Sequence, residues 1–221
     1  EQTVVAIGVS STTRRKPDAD QTCKSSGLSL FTLLLPSFVR TAETGIEYWL
    51  YVSFDAGDAF YDDEGTLVEL RAYMRRTVVD PLRQRGITAR FVFLRYHNNV
   101  RKPGPVFNFM MGAAFRDGAD YLYRINDDTE FVDPWAKVAI AALRGHAPPN
   151  SGVVGPICRQ GNQNILTHDF VHRTHMRIFR SYYPVVFMDW WMDDWISLVY
   201  SDARTSHGPF EVIHHTGTQG Q

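Results

Sequence analysis

Residues 119–129, ADYLYRINDDT, carry an apolar and aromatic run directly into a cluster of polar and acidic side chains. The run over 119–125 predicts a buried strand, and residues 126–129 predict the loop that follows it. Two other segments repeat this pattern. The apolar run over 4–9 ends at Ser10, and the run over 47–54 ends at Asp55.

Predicted helices alternate with the predicted strands along the first two thirds of the chain. The remaining elements are helices over 29–41, 67–82, 106–116 and 134–143, and strands over 87–96 and 152–157. Such alternation is typical of an α/β fold with right-handed crossovers. We therefore expect a single Rossmann-like open mixed sheet flanked by helices, with ligands at the carboxyl ends of its strands.

Composition excludes several classes of protein. The chain has 221 residues, 44% of them hydrophobic and 21% charged, as in an ordinary globular domain with one core. A net charge of -1 argues against a dedicated nucleic-acid-binding or membrane-surface protein. The sequence contains no run of about 20 apolar residues that would span a membrane.

Because the sequence begins at Glu1 rather than methionine, we expect a fragment of a longer protein. Cys23 and Cys158 are too few for a disulfide scaffold, and the sequence leaves their pairing open.

The acidic cluster after residue 125 is the first candidate site. Asp127 and Asp128 are adjacent carboxylates that repel each other, so a divalent cation with oxygen ligands would stabilise them. Such a cation would also hold a diphosphate. The alternative is an Asp-rich turn that caps the helix predicted near Pro134.

Residues 187–195, FMDWWMDDW, form the second candidate site. Indole faces are platforms for the apolar side of a sugar ring. A carboxylate partly desolvated by neighbouring indoles has a raised pKa and can serve as a general base. The alternative is that the tryptophans are core residues and that Asp193 and Asp194 cap a helix over 195–200.

Three histidines suggest a zinc site as an alternative. His168, His172 and His175 have the spacing that places them on one face of a helix, as in a metal-dependent hydrolase. However, the His-Glu-x-x-His pattern of such enzymes is absent. We prefer a helix that begins at Thr167 and Asp169 and turns its basic residues toward an acceptor or a phosphate.

Two more histidines, His214 and His215, follow an apolar pair near the end of the chain. On a strand their side chains would point to opposite faces, so at most one would complete the coordination of a divalent ion. Gly-x-Gly-x-x-Gly, the Walker loop and Gly-x-Ser-x-Gly are all absent. Their absence argues against ordinary dinucleotide, P-loop and serine-hydrolase chemistry.

Taken in order, these motifs resemble those of glycosyltransferases of the GT-A fold. Residues 119–129 resemble the strand that carries the DxD motif, with asparagine in place of the first aspartate, and residues 102–105, KPGP, resemble the segment that precedes it. Residues 187–195 are similar to the Trp-Asp-Asp-Trp segment of the N-acetylglucosaminyltransferase I group and to the Glu-Asp-Asp segment of the β-1,4-galactosyltransferases. Residues 212–216, VIHHT, are similar to the Ile-x-His-Ser element of the latter.

The resemblance implies a transferase that moves a sugar from a nucleotide-sugar donor, UDP by analogy, to an acceptor hydroxyl, inverting by direct displacement. It implies Mn²⁺ or Mg²⁺ bound by Asp128 and His215, with Asp193 as the general base and Asp194 as the alternative. Donor contacts are expected from Ser10, Ser11, Thr12, Arg14, Asp55, Asn126, Asp127 and Asp128. Other substrate contacts are expected from Trp190, Trp191, Arg159 and His168.

Residues 1–221 are expected to form one catalytic domain, with the donor bound by about 1–130 and the acceptor by about 131–221. The acceptor would be a glycan, a glycoprotein or another hydroxyl compound. Nucleic acid and membrane contacts are not expected, and the resemblance implies the Golgi or secretory-pathway lumen. A retaining glycosyltransferase, a metal-dependent hydrolase built on the Asp and His clusters, and a non-catalytic carbohydrate-binding module remain open alternatives.

Overall fold

Eight strands of the described chain pair into one mixed sheet in the order β3-β2-β1-β4-β7-β6-β8-β5. The computed structural model describes residues 2–13 and 27–215, so the predicted donor contact Arg14 and the cysteine at position 23 lie outside the described residues. The strands are β1 Thr3–Ser10, β2 Ile46–Asp55, β3 Ala89–Tyr96, β4 Tyr121–Asn126, β5 Thr129–Phe131, β6 Val153–Arg159, β7 Asp169–His172 and β8 Thr205–His214.

Helices cover both faces of this sheet. They are α1, a π turn Leu30–Leu34 continued by Leu35–Thr41; α2, Glu64–Met74 with a π segment Arg75–Val79 and a last part Asp80–Gln84; α3 Pro103–Arg116; α4 Ala136–Arg144; α5 Thr174–Phe179; and α6 Met192–Leu198. The predicted α/β fold and the alternation of its elements are confirmed. No helix in the described ranges is long and apolar enough to cross a membrane.

Two predictions in the last third of the chain are wrong. The segment expected to begin a helix at Thr167 and Asp169 forms strand β7 instead. The helix expected over 195–200 begins earlier, at Met192, so that Asp193 and Asp194 lie in its first turn rather than before it.

Strand β1 lies in the middle of the parallel half and shows how the two faces are built. Val5, Ile7 and Val9 belong to the core beneath α1, α2 and α4, whereas Ala6 faces the core that contains α3. At Gly8 a side chain would collide with Met110 and Met111 of α3. The glycine therefore lets the methionine side chains of α3 pack directly on the strand.

The second half of the sheet is strongly curled. Strands β4 and β5 are separated by three other strands in the sheet order, yet only Asp127 and Asp128 connect them. Four interstrand spacings in a flat sheet would measure about 19 Å, whereas this connection spans at most about 11 Å. The sheet must therefore bend back until β5 comes close to β4, and the acidic turn closes the bend.

Aromatic side chains fill the inside of the curl. Tyr123, Phe131, Trp135 and Phe170 are all fully buried. The rings of Phe131 and Trp135 stack with centroids 5.1 Å apart, and Tyr123 lies 4.8 Å from Trp135. These large rings supply the apolar burial that stabilises the bend beneath the acidic turn.

The three histidines of the zinc alternative do not share a face. His172 lies on β7 and His175 on α5, and His168 precedes β7. His175 is enclosed by aromatic rings; its Nε2–H donates to the carbonyl of Tyr182 at 2.7 Å, and its Nδ1 accepts from the hydroxyl of Tyr200 at 2.9 Å. It is a core histidine, so the helical face expected for these residues is wrong.

Acidification is expected to destabilise the protein through His175. Burial lowers the pKa of this imidazole from 6.5 to about 4, so between these values the unfolded chain binds a proton that the folded chain does not. The contribution of His175 to the free energy of unfolding is therefore fully present above about pH 6.5. It decreases by up to about 3 kcal/mol as the pH approaches 4. Urea unfolding at several pH values measures this loss. The His175→Gln variant should lose less unfolding free energy over the same pH range. An equal loss in both proteins would show that His175 does not cause the acid sensitivity.

Candidate active site

The carboxyl ends of β2, β1 and β4 meet at one edge of the sheet. Ser10, the last residue of β1, pairs in register with Ser53 on one side and Asn126 on the other. The order of the strands reverses at this point, because β2 and β3 lie on one side of β1 and β4 on the other. A crevice outside such a reversal is where α/β sheets bind ligands. The structure thus brings the predicted polar strand ends together.

The acidic turn places Asp128 against His214. The carboxylate Oδ1 of Asp128 lies 3.1 Å from Nε2 of His214. This oxygen is buried, and His214 is the residue that pairs with it. Burial opposes the charge on His214, yet the neighbouring Asp128 carboxylate and Cys158 sulfur raise the pKa of the imidazole to about 9. Without a metal ion the two groups form an ion pair. Once His214 has lost its proton, the carboxylate oxygen and the imidazole nitrogen are a donor set that suits a divalent cation.

His215, the predicted second metal ligand, lies in a different place. Its Nε2 is 3.1 Å from Oε2 of Glu130, and its backbone N–H donates to the carbonyl of Asp128. Adjacent residues at the end of β8 project in different directions, and it is His214 that faces the Asp128 carboxylate. The structure therefore transfers the candidate role of second ligand from His215 to His214.

The Asp128–His214 pair is a partial metal site. In the part of the chain that the structure describes, no three His, Cys, Asp or Glu side chains converge as a metal-binding group. A divalent ion held by two protein ligands would take its other ligands from phosphate oxygens and water, which suits an ion bound together with a nucleotide diphosphate.

Arg124 connects the acidic turn to the second candidate site. This residue of β4 is only 2% exposed. Its Nη2 lies 2.6 Å from Oδ1 of Asp193, its Nε donates to Oδ1 of Asp169 at 3.1 Å, and its Nη1 donates to Oδ1 of Asn126 at 3.3 Å. The hydroxyl of Tyr183 donates to the same Asp169 oxygen at 2.6 Å. One guanidinium group thus fixes the position of Asp193 relative to the end of β4.

Electrostatics make Asp193 a suitable base. Burial raises its pKa above the ordinary value for a carboxyl group, while the positive charge of Arg124 opposes this effect. Burial also raises the pKa of Asp169, with Arg124 again opposing. Because Arg124 is shared between two carboxylates, it neutralises only part of their charge. The Asp193 side chain is 32% exposed, so it remains accessible to a substrate hydroxyl.

Asp194, the next residue of α6, lines a neighbouring cavity. It lines a cavity of about 540 Å³ together with Asn164, Leu198 and Asp202. Of these two alternative candidates for the base, Asp193 is the one that contacts Arg124 at the sheet edge.

The two segments that resemble glycosyltransferase motifs contact each other. The backbone N–H of Gly104 donates to the carbonyl of Met188 at 2.7 Å, and Lys102 forms an ion pair with Asp189. The side-chain amide of Asn108 on α3 exchanges two hydrogen bonds with the backbone of Tyr183. The segment over 102–105 therefore supports the loop that leads into α6.

The tryptophans before α6 are not core residues. Trp190 is 77% exposed and Trp191 is 67% exposed, so the core alternative is wrong for both. Trp195, in contrast, packs against the rings of His175 and Phe179. Trp191 has a φ of 74°, a left-handed conformation that is strained for an aromatic residue and is found mostly where the surroundings impose it.

The loop after β1 is organised by Asp58, which lies in the polar segment that follows β2. Asp58 is 1% exposed and accepts hydrogen bonds from the hydroxyls of Thr12 and Thr13 and from the Thr13 N–H. The hydroxyl of Tyr61 donates to Ser11, which is buried. Thr12 is exposed and Ser10 is half-buried, so these two residues are the accessible part of the predicted donor loop.

Two predicted substrate contacts differ in accessibility. His168 is fully buried, with Nε2 2.8 Å from the hydroxyl of Thr129. A direct contact with substrate is therefore wrong for this residue; its ring packs edge-on against His214 instead. Arg159 ends β6, is exposed and pairs with Glu211. Its contact with substrate stays a prediction.

The described chain has a mixed α/β fold with one open, curled sheet and helices on both faces, and solved structures that share this fold are glycosyltransferases. Among solved structures, the chain is similar to S. aureus TarS, with a TM-score of 0.55 and 12% sequence identity over 95% of this chain and 34% of TarS. TarS 1–349 in complex with UDP gives the same TM-score and identity over 95% of this chain and 57% of that one. TarS 1–349 alone gives a TM-score of 0.53.

These neighbours are glycosyltransferases, and at this identity the likeness concerns the fold. The chain spans about a third of the longer TarS structure and little more than half of the shorter one. No family model matches the sequence, and no curated protein matches it.

Proposed function

We propose that this chain is the catalytic domain of a glycosyltransferase that transfers a sugar from a UDP-sugar to an acceptor hydroxyl. The observation that carries the proposal is the Arg124 guanidinium, which contacts both Asn126 beside the acidic turn and Asp193 on α6. A group that binds the donor and a carboxylate that accepts a proton are thereby held side by side. The UDP complex of TarS supports UDP as the nucleotide.

The donor would lie over the carboxyl ends of β1 and β4. The accessible residues Ser10 and Thr12, with Asp55 at the end of β2, border the crevice on one side, and Asn126, Asp127 and Asp128 border it on the other. Asp128 and His214 would hold a divalent ion such as Mn²⁺ or Mg²⁺, which supplies positive charge to stabilise the departing diphosphate.

Asp193 would remove the proton from the acceptor hydroxyl as its oxygen attacks the anomeric carbon. Attack from the face opposite the diphosphate is a single displacement that inverts the anomeric configuration. The exposed Trp190 and Trp191 would present their ring faces to a sugar of the acceptor on the side of the site nearest α6. The location in the Golgi or secretory-pathway lumen stays a prediction.

Nucleotide binding tests the proposal before any acceptor is known. Because a ligand stabilises the folded state that binds it, the melting temperature should rise with UDP or one UDP-sugar. The rise should be larger when Mn²⁺ is present. A rise with a free saccharide but with no nucleotide would favour the carbohydrate-binding module, and a rise with zinc alone would favour the hydrolase.

Removing the Asp128 carboxylate is expected to weaken metal-dependent donor binding. Asp128→Ala and His214→Ala should each reduce the affinity for UDP with Mn²⁺ by at least about tenfold, because each removes one of two protein ligands. Both variants should bind UDP without metal as the native chain does. Titration calorimetry with and without Mn²⁺ measures the difference. His215→Ala is the matched control, and if it lost as much affinity as His214→Ala, the transfer of the role to His214 would be wrong.

A further inference from the structure

A cavity of about 540 Å³ lies beside α6, next to the candidate base. Asp194, Ser197 and Leu198, which share one face of this helix, form one wall. The loop that leads to β7 contributes a second wall, and the start of β8 closes the third side. None of the described residues predicted to contact the nucleotide lines this cavity, and neither Asp128 nor His214 does.

The lining combines apolar and polar groups in a way that suits a carbohydrate ring. Leu198 is 72% exposed and Ile165 also lines the cavity, so apolar surface is available for the C–H face of a sugar. Asn164, Asp194 and Asp202 bring an amide and two carboxylates, which accept hydrogen bonds from hydroxyl groups. Apolar walls with a few convergent polar groups are typical of small-molecule sites.

The charge of the cavity lining limits which ligands can bind in the cavity. Two carboxylates line the cavity, and no lysine or arginine is among the described residues that do so. A sugar that carries a phosphate or a carboxylate would be repelled, whereas a neutral sugar would not.

The cavity is structurally continuous with the candidate base. The hydroxyl of Ser197 donates to the carbonyl of Asp193 at 2.6 Å and accepts from the N–H of Leu166 at 2.8 Å. Asp193 and Asp194 are consecutive residues, so their α-carbons are only about 3.8 Å apart. Ser197 thus links the wall of the cavity to the backbone of the candidate base.

We propose that this cavity is an acceptor subsite that binds the second sugar ring of a neutral oligosaccharide, next to the ring that is glycosylated. This inference rests on the proposed glycosyltransferase function. Asp202 and Asn164 hydrogen-bond the hydroxyls of the second ring, and Leu198 packs against its apolar face.

The test compares saccharides of one and two rings. Glucose, galactose, mannose and N-acetylglucosamine, together with neutral disaccharides made from them and a disaccharide that contains a uronic acid, are titrated by NMR into the chain with UDP and Mn²⁺ present. At least one neutral disaccharide should bind about tenfold more tightly than its monosaccharide. The uronic-acid disaccharide should show no such gain.

Two variants test whether residues of the cavity cause the higher affinity for the disaccharide. Asp202 and Leu198 are both exposed, so Asp202→Asn and Leu198→Ala should fold, and each should weaken the disaccharide about fivefold. The monosaccharide should bind these variants as it binds the native chain. The matched control is Glu69→Gln, an exposed carboxylate on α2, which should change nothing.

Failure of the subsite proposal and failure of the glycosyltransferase proposal give different results in these experiments. Equal binding of one-ring and two-ring saccharides, or no saccharide binding at all in a chain that binds UDP, overturns the subsite alone. Variants that leave the disaccharide gain intact also overturn it, as does a preference for the acidic disaccharide. Failure to bind any nucleotide overturns the glycosyltransferase proposal itself.

Discussion

Asp193→Asn should lower sugar transfer by about 100- to 10,000-fold, the usual contribution of a general base. An asparagine has nearly the same shape and keeps an oxygen for Arg124, but it does not accept a proton. Donor binding should therefore stay within about twofold of the native value. The measurements are the initial rate of UDP release with acceptor and the UDP affinity of the same preparation.

Asp194→Asn is the matched control for this prediction. It changes the neighbouring carboxylate, which faces the cavity beside α6 rather than Arg124, so the transfer rate should fall by less than about tenfold. Near-normal transfer by Asp193→Asn, or equal losses in the two variants, would show that Asp193 is not the base. A product with the anomeric configuration of the donor would favour the retaining alternative.

Arg124→Leu should destabilise the protein by about 3–5 kcal/mol. The guanidinium is buried against Asp169, which is fully buried, and its loss would leave that carboxylate without its countercharge. The free energy of unfolding in urea at neutral pH measures the effect. The control is Arg83→Leu, which breaks an exposed ion pair with Asp80 and should cost less than about 1 kcal/mol.

A second replacement isolates the cause of this instability. In Arg124→Leu/Asp169→Leu both charges of the buried pair are absent, so part of the lost stability should return. Arg124→Lys keeps the positive charge but not the planar guanidinium group that contacts four side chains, so it should lower the transfer rate more than the stability. A loss below about 1 kcal/mol in Arg124→Leu would contradict the role given to this ion pair.

The parallel half of the fold was predictable because its signals are local. Each strand from β1 to β4 is an apolar run that stops at polar residues, and each intervening helix shows apolar spacing within a few turns. The rule that parallel strands bind ligands at their carboxyl ends then placed Ser10 and Asn126 at one edge. Strand β7 gave no such signal, because its four residues include a buried aspartate and a histidine.

The partners of Arg124 could not be predicted from the sequence. Arg124 lies within the apolar run over 119–125, and its burial requires a counterion, since an unpaired buried charge is costly. Its partners are 45 and 69 positions away, however, and only tertiary folding brings them near. The choice between His214 and His215 likewise depended on which of two adjacent side chains faces inward at the end of β8.

The short acidic turn has a consequence for the entropy of binding. Asp127 and Asp128 join two strands whose positions are fixed by the curl of the sheet, so the turn has little slack. A ligand that binds to the Asp128 carboxylate therefore does not have to order a flexible loop first. The turn loses its conformational entropy during folding, when the sheet closes. Ligand binding therefore has no further entropy cost from ordering this turn.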